Sequence, residues 1–297
     1  MINVLLLRSP SSDGKSDPYG VEFSNLGYQV QSLAVLETVQ SNPKELQEII
    51  RAGPASHDIH GVIITSKRAS DAWRDATTDL TTNSENMAGD WSDIPFYVVG
   101  ESTSRALKDI GLSRPSHLTP NDIRGATESG TSERLAHFIL SEQSHRENRF
   151  KFLYLKGDKN RDDLPNILVA GGITLVSVKV YETRGSPSFA TTLQTLVNAK
   201  VKGKSNDHKL HWWVVLFAPS AAEFAVPILR TAFRLSVSDG SPDSSLRDAK
   251  IAAIGPTTAS YLRNKLSLDV AVVSAKPEPV ELVKAVFQHD QQRRQLV

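Results

Sequence analysis

Cysteine is absent from this chain of 297 residues. That absence excludes disulfides, thiolate nucleophiles, iron–sulfur clusters and thiolate zinc sites together. Long apolar runs are absent as well, since no stretch approaches the ~18 residues that are needed to span a bilayer. The apolar segment at residues 2–7 has neither a basic flank nor a cleavage site of small residues, so it predicts a first β-strand rather than a signal peptide. We therefore expect a cytoplasmic protein without a membrane partner.

An excess of one charge is also lacking, because 34 Lys and Arg residues stand against 33 Asp and Glu residues. Proteins that bind nucleic acid usually carry a basic excess, so this composition disfavours a nucleic-acid partner. No Gly-x-Gly-x-x-Gly, Walker A or His-Glu-x-x-His pattern occurs. His57 and His60 are a close pair, but no further ligand follows at a supporting spacing, and we interpret them as surface residues. We expect no metal and no cofactor.

An internal repeat organises what is present. Residues 27–38 align without gaps on residues 172–183, with Gly, Ser, Val, Glu and Thr in common. Three further matches follow the same order: Val4–Leu7 with Phe152–Leu155, Val62–Ser66 with Val215–Ser220, and Phe96–Thr103 with Ile251–Thr258. Matches that keep one order along the chain indicate a duplicated unit.

Each repeat alternates strand-like and helical segments. Strands are predicted near residues 3–8, 28–39, 61–65, 95–99 and 116–119, and again near 151–156, 173–184, 213–218, 250–254 and 270–274. Several are continuously apolar, as expected of parallel strands that are covered on both faces. This alternation predicts an α/β protein with two flavodoxin-like parallel sheets. The polar tail at residues 288–294 is interpreted as a frayed helix end.

Two of the predicted strands, at 28–39 and 173–184, are about twice the usual length of ~5–6 residues. Strands of that length can leave one sheet and enter another, so that the repeats exchange their first strand and helix. One domain then holds residues 1–34 plus 185–297, the other holds roughly residues 39–179, and the long strands form the connection between them. The alternative is two sequential domains that divide near residue 149.

Hydroxyl side chains follow the predicted strands and precede helices. In open α/β sheets ligands bind at the carboxyl ends of strands, where helix N-termini favour anions. Each hydroxyl can instead simply cap its helix, as the pattern Ser220–Glu223 suggests, for about 1 kcal/mol. Cations at the same strand ends are either anion ligands or solvated surface charges. The candidate binding residues are Ser66, Lys67, Arg68, Ser102, Thr103, Lys156, Ser220, Thr257 and Thr258.

Tyr181 is the candidate catalytic residue. It lies on the predicted strand at 173–184, which is expected to pass between the domains. A phenol in that place can donate a hydrogen bond or a proton to a leaving hydroxyl, although its reference pKa near ~10 limits proton transfer. The alternative is a packing tyrosine with its hydroxyl at the edge of the sheet.

These motifs resemble those of the uroporphyrinogen-III synthase family. The resemblance runs along most of the chain, and its most specific part is the combination of Ala253–Ala259 with Val180-Tyr181-Glu182-Thr183. It is also carried by Val4–Arg8, Asp17–Tyr19, Ile64–Ser66, Arg68-Ala69, Tyr97–Gly100, Phe217–Ser220 and Pro277–Pro279. Lys67 after Ser66 and Ala221 after Ser220 depart from some members of the family.

The resemblance implies two domains joined by a two-stranded β-ladder, formed here by residues 35–38 and 180–184, with the active site in a cleft between the domains. It implies the substrate hydroxymethylbilane, a linear tetrapyrrole with eight carboxylates, and cyclisation with loss of water and inversion of ring D, without a cofactor. Hydroxymethylbilane synthase is the expected upstream donor, and a monomer is expected. Two alternatives stay open: a two-domain binding protein for an anionic metabolite, and a flavodoxin-like FMN module.

Overall fold

The computed structural model describes residues 2–9, 16–82, 89–113, 116–143, 150–202, 211–235 and 246–294. Within them the chain divides into two compact units. The first unit comprises Met1–Glu37 and Arg184–Val297, and the second unit comprises Thr38–Thr183. None of the described helices is long and apolar enough to cross a membrane.

Twelve strands and ten α-helices are formed by the described residues. The strands are β1 (Ile2–Leu7), β2 (Gln29–Ser32), β3 (Leu36–Gln40), β4 (Gly61–Ile64), β5 (Pro95–Val98), β6 (Asp122–Arg124), β7 (Lys151–Gly157), β8 (Thr174–Gly185), β9 (His211–Leu216), β10 (Phe233–Arg234), β11 (Arg247–Ala253) and β12 (Val270–Val273). The helices are α1 (Pro18–Asn25), α2 (Pro43–Ala52), α3 (Lys67–Thr82), α4 (Glu101–Ser113), α5 (Ser132–Gln143), α6 (Asp163–Ala170), α7 (Phe189–Lys202), α8 (Pro219–Leu229), α9 (Pro256–Leu266) and α10 (Pro279–Arg294).

The second unit is built on a sheet with the strand order β3-β8-β7-β4-β5-β6. From β8 to β6 every neighbouring pair is parallel. The apolar run Val62-Ile63-Ile64 in β4 explains why this strand is central: Val62 and Ile64 pack into one hydrophobic core, and Ile63 packs into another on the opposite face. A sheet covered on both faces is the α/β arrangement that the sequence predicts.

The first unit repeats this topology. Its order β2-β1-β9-β11-β12 is again parallel throughout, and the short β10 also pairs with β11. The strands β1 and β2 come from the first sequence repeat, whereas β9, β11 and β12 come from the second. In the second unit the same exchange occurs in reverse, because β7 and β8 open the second repeat. The two units therefore share one strand order, although each of them combines strands from both sequence repeats.

Two of the predicted strands need correction. The strand predicted at 28–39 is two strands, β2 and β3, separated by residues 33–35, of which Leu33 and Val35 are buried in the core of the first unit. The strand predicted at 116–119 is a turn: the backbone carbonyls of His117 and Leu118 accept hydrogen bonds from the N–H of Trp91 and the indole of Trp73. The strand at this edge of the sheet is β6, which begins at Asp122.

The polar tail is also not frayed, since α10 continues to Arg294. Asp290 is buried in it and accepts hydrogen bonds from the phenol of Tyr28 and the indole of Trp213, both at 3.0 Å. The ammonium group of Lys250 lies 3.2 Å from the other carboxylate oxygen. The polar sequence pattern does not predict that Asp290 is buried, because the partners of its carboxylate are far away in the chain.

Candidate functional site

The carboxyl ends of four adjacent parallel strands form the first candidate site, which we name the Tyr181 edge. It lies in the second unit and is made by β8, β7, β4 and β5 with the helix starts that follow them. The residues of the Tyr181 edge are Ser66, Lys67, Arg68, Ser102, Thr103, Lys156 and Tyr181. Parallel pairing is what brings side chains from distant segments to this single edge.

Ser66 and Tyr181 are hydrogen-bonded to each other. The Ser66 hydroxyl donates to the phenolic oxygen of Tyr181 at 3.2 Å, and it accepts the backbone N–H of Ala69 at 3.3 Å. Ser66 thus caps the first turn of α3 and also holds Tyr181. Since the phenolic oxygen accepts this bond, its own O–H proton remains available for a ligand. The guanidinium of Arg68 lies 5.9 Å from the centre of the half-buried Tyr181 ring, within cation–π range.

The position of the Tyr181 ring depends on Gly157. Gly157 is paired with Tyr181 across β7 and β8, at a point where the register of the two strands shifts. A Cβ atom at Gly157 would overlap the Tyr181 ring, so only glycine leaves room for it. A further consequence is that Val180 and Tyr181, although consecutive, both pack against the same core. The shift therefore sets the direction in which the phenol points.

A hydrogen-bond network fixes the loop after β7. The side chain of Asn160 accepts the backbone N–H of Gly157 at 3.2 Å and donates to the Tyr154 phenol at 2.7 Å. Burial raises the pKa of Tyr154, so this phenol stays neutral and keeps the bond. The Asn160 amide is also 3.5 Å from the hydroxyl of Thr65, which follows β4. Sequence reasoning missed Gly157 and this network, which only the fold brings together.

The cations of the Tyr181 edge are open to solvent to different extents. Lys67 and Arg68 are exposed, and Lys156 is partly exposed. Within the part of the chain that the structure describes, Lys67 and Lys156 form no ion pair. They are therefore free to bind an anion. Ser102 is exposed in the first turn of α4, whereas Thr103 is only 3% exposed, so its hydroxyl faces the protein interior.

The second candidate site is the corresponding edge of the first unit, which we name the Thr257 edge. It is formed by the carboxyl ends of β1, β9 and β11, and its residues are Arg8, Ser220, Thr257 and Thr258. The α9 N-cap is Gly255, which has no side chain to satisfy the first N–H groups. Thr257 is exposed in this first turn, and Thr258 is 3% exposed. An uncapped helix start of this kind favours anions.

The capping box predicted at Ser220–Glu223 is wrong. The α8 helix begins at Pro219, and its N-cap is Ala218 in an extended conformation without a side-chain hydrogen bond. Proline is favoured in the first helical position because its fixed φ suits the helix and its missing N–H is not needed there. Ser220 therefore lies inside the first turn with its side chain exposed.

The structure brings some predicted residues together and leaves others apart. Ser66, Arg68 and Tyr181 are in contact, whereas no bond joins Lys156 or Ser102 to them in the described ranges. Among these ranges no group of three or more His, Asp or Glu residues could hold a metal ion. His60 is 3.7 Å from Asp58, and its ring lies edge-on to Phe150. The groups at the Tyr181 edge can bind anions and donate a proton from a phenol, and the groups at the Thr257 edge can bind anions.

Comparison with known proteins gives consistent names. The family model described as "Uroporphyrinogen-III synthase HemD" matches residues 17–284. "Uroporphyrinogen-III synthase" of Saccharomyces cerevisiae is 28% identical over 232 residues, which cover 77% of this chain and 75% of that protein. The protein of the same name from Schizosaccharomyces pombe is 25% identical over 294 residues, which cover 98% of this chain and 99% of that protein.

Solved structures with this name are similar over nearly the whole chain. Uroporphyrinogen-III synthetase from Helicobacter pylori is 16% identical, with a TM-score of 0.45, and the alignment covers 97% of this chain and 99% of that one. The family assignment rests on the sequence model, whose matched residues include parts of both strand-end edges. This chain therefore belongs to the uroporphyrinogen-III synthase family.

Proposed function

We propose that this chain is a lyase that cyclises hydroxymethylbilane to uroporphyrinogen III, with loss of water and inversion of ring D. The observation that carries the proposal is the family match over residues 17–284. The strand-end chemistry supports it. A substrate with eight carboxylates needs many cations and N–H donors, and Lys67, Lys156 and the uncapped start of α9 provide them.

Tyr181 is assigned the role of proton donor. As the terminal hydroxyl of the substrate leaves, it takes the phenolic proton and departs as water, and the chain end becomes an azafulvene. The substituted α-carbon of ring D attacks this chain end and gives a spiro intermediate. The bond from that carbon to the bridge of ring C then breaks, and the free α-carbon of ring D bonds to the released bridge carbon, so that ring D is inverted. The proton that the substrate releases when the last pyrrole becomes aromatic returns to the phenolate. The hydrogen bond from Ser66 supports this role because it stabilises negative charge on the phenolic oxygen.

Orientation is the other contribution that the reaction requires. Hydroxymethylbilane closes without inversion when it is left in solution, so the enzyme must favour one geometry of the chain ends. Holding reacting groups in place can lower a barrier by about 7–11 kcal/mol. We propose that the carboxylates of the substrate are held by residues at both strand-end edges. The buried Thr103 and Thr258 bind through their backbone N–H groups. The other residues bind through their side chains; they are Ser66, Arg68, Ser102, Ser220 and Thr257.

The test generates hydroxymethylbilane in the assay with hydroxymethylbilane synthase, adds this protein, and separates the type I and type III isomers after oxidation. The type III isomer is expected as the main product without any added cofactor, and heat-denatured protein is the control. An isomer ratio equal to that of the control would refute the proposal. We further propose a cytoplasmic monomer, whose mass is checked by light scattering.

A further inference from the structure

Arg8 lies at the Thr257 edge, directly after the central strand β1. The neighbours of β1 are β2 and β9, and Leu7 is paired with Leu216 at the end of β9. Arg8 therefore occupies the strand-end position in the first unit that Lys156 occupies at the end of β7 in the second unit. Arg8 closes the segment Val4–Arg8, which contributes to the family resemblance, but the sequence alone assigns it no role.

Asp17 holds one side of the Arg8 guanidinium. The Nε atom of Arg8 is 3.5 Å from a carboxylate oxygen of Asp17. Asp17 is itself fixed, since it accepts the backbone N–H of Tyr19 at 3.0 Å as the N-cap of α1 and the hydroxyl of Ser32 at 3.3 Å. The Asp17 side chain is only 9% exposed, so it cannot easily turn away.

Two aromatic rings restrict the faces of the guanidinium. Its central carbon is 5.0 Å from the centre of the Tyr19 ring and 5.1 Å from that of Phe217. The two rings pack edge-on against each other at 5.0 Å. The Tyr19 hydroxyl donates to the backbone oxygen of Pro277 at 2.9 Å, which fixes the ring in turn. The guanidinium is thus pre-oriented, and binding through it costs little side-chain entropy.

Part of the guanidinium has no partner among the described residues. The Arg8 side chain is 33% exposed, and its Nη1 and Nη2 atoms make no hydrogen bond to any residue in the described part of the chain. Two parallel N–H groups on a rigid fork match the two oxygens of a carboxylate. We propose that Arg8 binds one carboxylate of the tetrapyrrole substrate through these two nitrogens, and so helps to set which way the substrate lies along the edge.

This inference rests on the proposed function, since the ligand is the substrate named there. It makes Arg8 a binding and specificity residue and gives it no part in proton transfer. Loss of the fork should therefore raise KM and leave kcat nearly unchanged. Because hydrogen bonds to charged groups are strong, the expected rise in KM for Arg8→Gln is about ten- to hundredfold. Arg8→Lys retains the charge without the fork, and its KM should lie between those of Arg8→Gln and the unchanged protein.

The test measures kcat, KM and the type III fraction with the coupled assay, and melting temperatures for each variant. Arg263→Gln is the matched control: Arg263 is in the same unit but donates to the backbone oxygen of Val270, at the amino end of β12. Arg8→Gln leaves Asp17 unpaired, so the double variant Arg8→Gln with Asp17→Asn is measured beside it. Asparagine is also a good N-cap, which keeps the start of α1 intact.

The outcomes separate the two proposals. A raised KM in the folded Arg8 variants, with kcat and the KM of Arg263→Gln unchanged, supports the carboxylate-binding role. Normal KM values in the folded Arg8→Gln or double variant would overturn it, as would a fall in kcat alone. If the unchanged protein forms only the type I isomer, the proposed function itself is wrong. If it forms type III and Arg8 has no effect, only the inference about Arg8 is wrong.

Discussion

The Tyr181 edge and the Thr257 edge descend from one repeated pattern, and part of that pattern is preserved in detail. Ser102 and Thr103 of the second unit align with Thr257 and Thr258 of the first. In both units the first hydroxyl of the pair is exposed, and the second is only 3% exposed. Duplication has therefore kept one hydroxyl for solvent or ligand and one for the interior at each helix start.

The two edges differ in the residues that can carry chemistry. The repeat alignment places Leu36 where the second unit has Tyr181, so one edge has the phenol and the other does not. Ser66 caps its helix and donates to that phenol, whereas the equivalent Ser220 does neither. Groups suited to binding anions are present at both edges. The comparison predicts that substrate binding is shared between the two edges, whereas proton transfer is confined to the Tyr181 edge.

The largest effect is expected when the phenolic hydroxyl of Tyr181, which distinguishes the two edges, is removed. Tyr181→Phe keeps the ring against its core and loses only the donor. Removing one oriented acid typically costs about 10²–10⁴-fold in rate, so kcat should fall by that factor. The melting temperature should change little, because Tyr181 is only half-buried and its partner Ser66 retains the backbone bond to Ala69. Steady-state kinetics and thermal unfolding check both parts.

Tyr28→Phe is the matched control for this substitution. The Tyr28 hydroxyl donates to the buried carboxylate of Asp290, and Tyr28 lies at the amino end of β2, opposite to the strand ends that form the Thr257 edge. Its loss should reduce the free energy of unfolding by about 1.5–3 kcal/mol, as expected for a bond to a charged group, and leave kcat unchanged. If Tyr181→Phe lost stability and kept its kcat, as Tyr28→Phe should, Tyr181 would be a packing residue and the two edges would be chemically alike.

A smaller but still large effect is expected from Gly157→Ala. The new Cβ would overlap the Tyr181 ring and push the phenol away from its place beside Ser66. Misplacement by about 1 Å can cost about 10²-fold in rate, so we expect kcat to fall by roughly that factor. Gly20→Ala is the control, because among the described residues its Cβ would meet only Asp17, at an ordinary 3.7 Å. A normal kcat in the folded Gly157→Ala protein would show that the position of Tyr181 is unimportant.

Much of the fold was predictable because it depends on local patterns. Continuous apolar runs such as Val62–Ile64 mark strands that are buried on both faces, and the alternation with helices predicts parallel pairing. The turn at 116–119 was not predictable, because its apolar Leu118 is buried there by contact with Trp73 rather than by membership of a strand. An apolar residue in a short polar segment can be buried in a turn or in a strand, and the sequence pattern is the same in both cases.

The site was predictable in its location but not in its contacts. Hydroxyls after parallel strands are recognisable in the sequence, since the carboxyl ends of such strands meet at one edge. The pairing of Ser66 with Tyr181 depends on the register shift at Gly157, and one residue of slip changes the face on which every following side chain lies. The binding role of Arg8 was missed for a similar reason. Its contacts with Asp17, Tyr19 and Phe217 form only when β1 and β9 are adjacent in the sheet.

The smallest expected effect concerns the hydroxyl pair Thr257 and Thr258. It tests whether the exposed hydroxyl, and not the buried one, binds the substrate. Thr257→Ala removes an exposed hydroxyl beside the uncapped start of α9, so KM should rise about tenfold while turnover continues, as for the loss of one hydrogen bond to a carboxylate. Thr258→Ala, in the next position, removes a buried hydroxyl and should lower the melting temperature without changing KM. Kinetics of the two variants side by side decide the matter. A complete loss of turnover in folded Thr257→Ala would give this residue a chemical role, and the Thr257 edge would then no longer differ from the Tyr181 edge in the way proposed here.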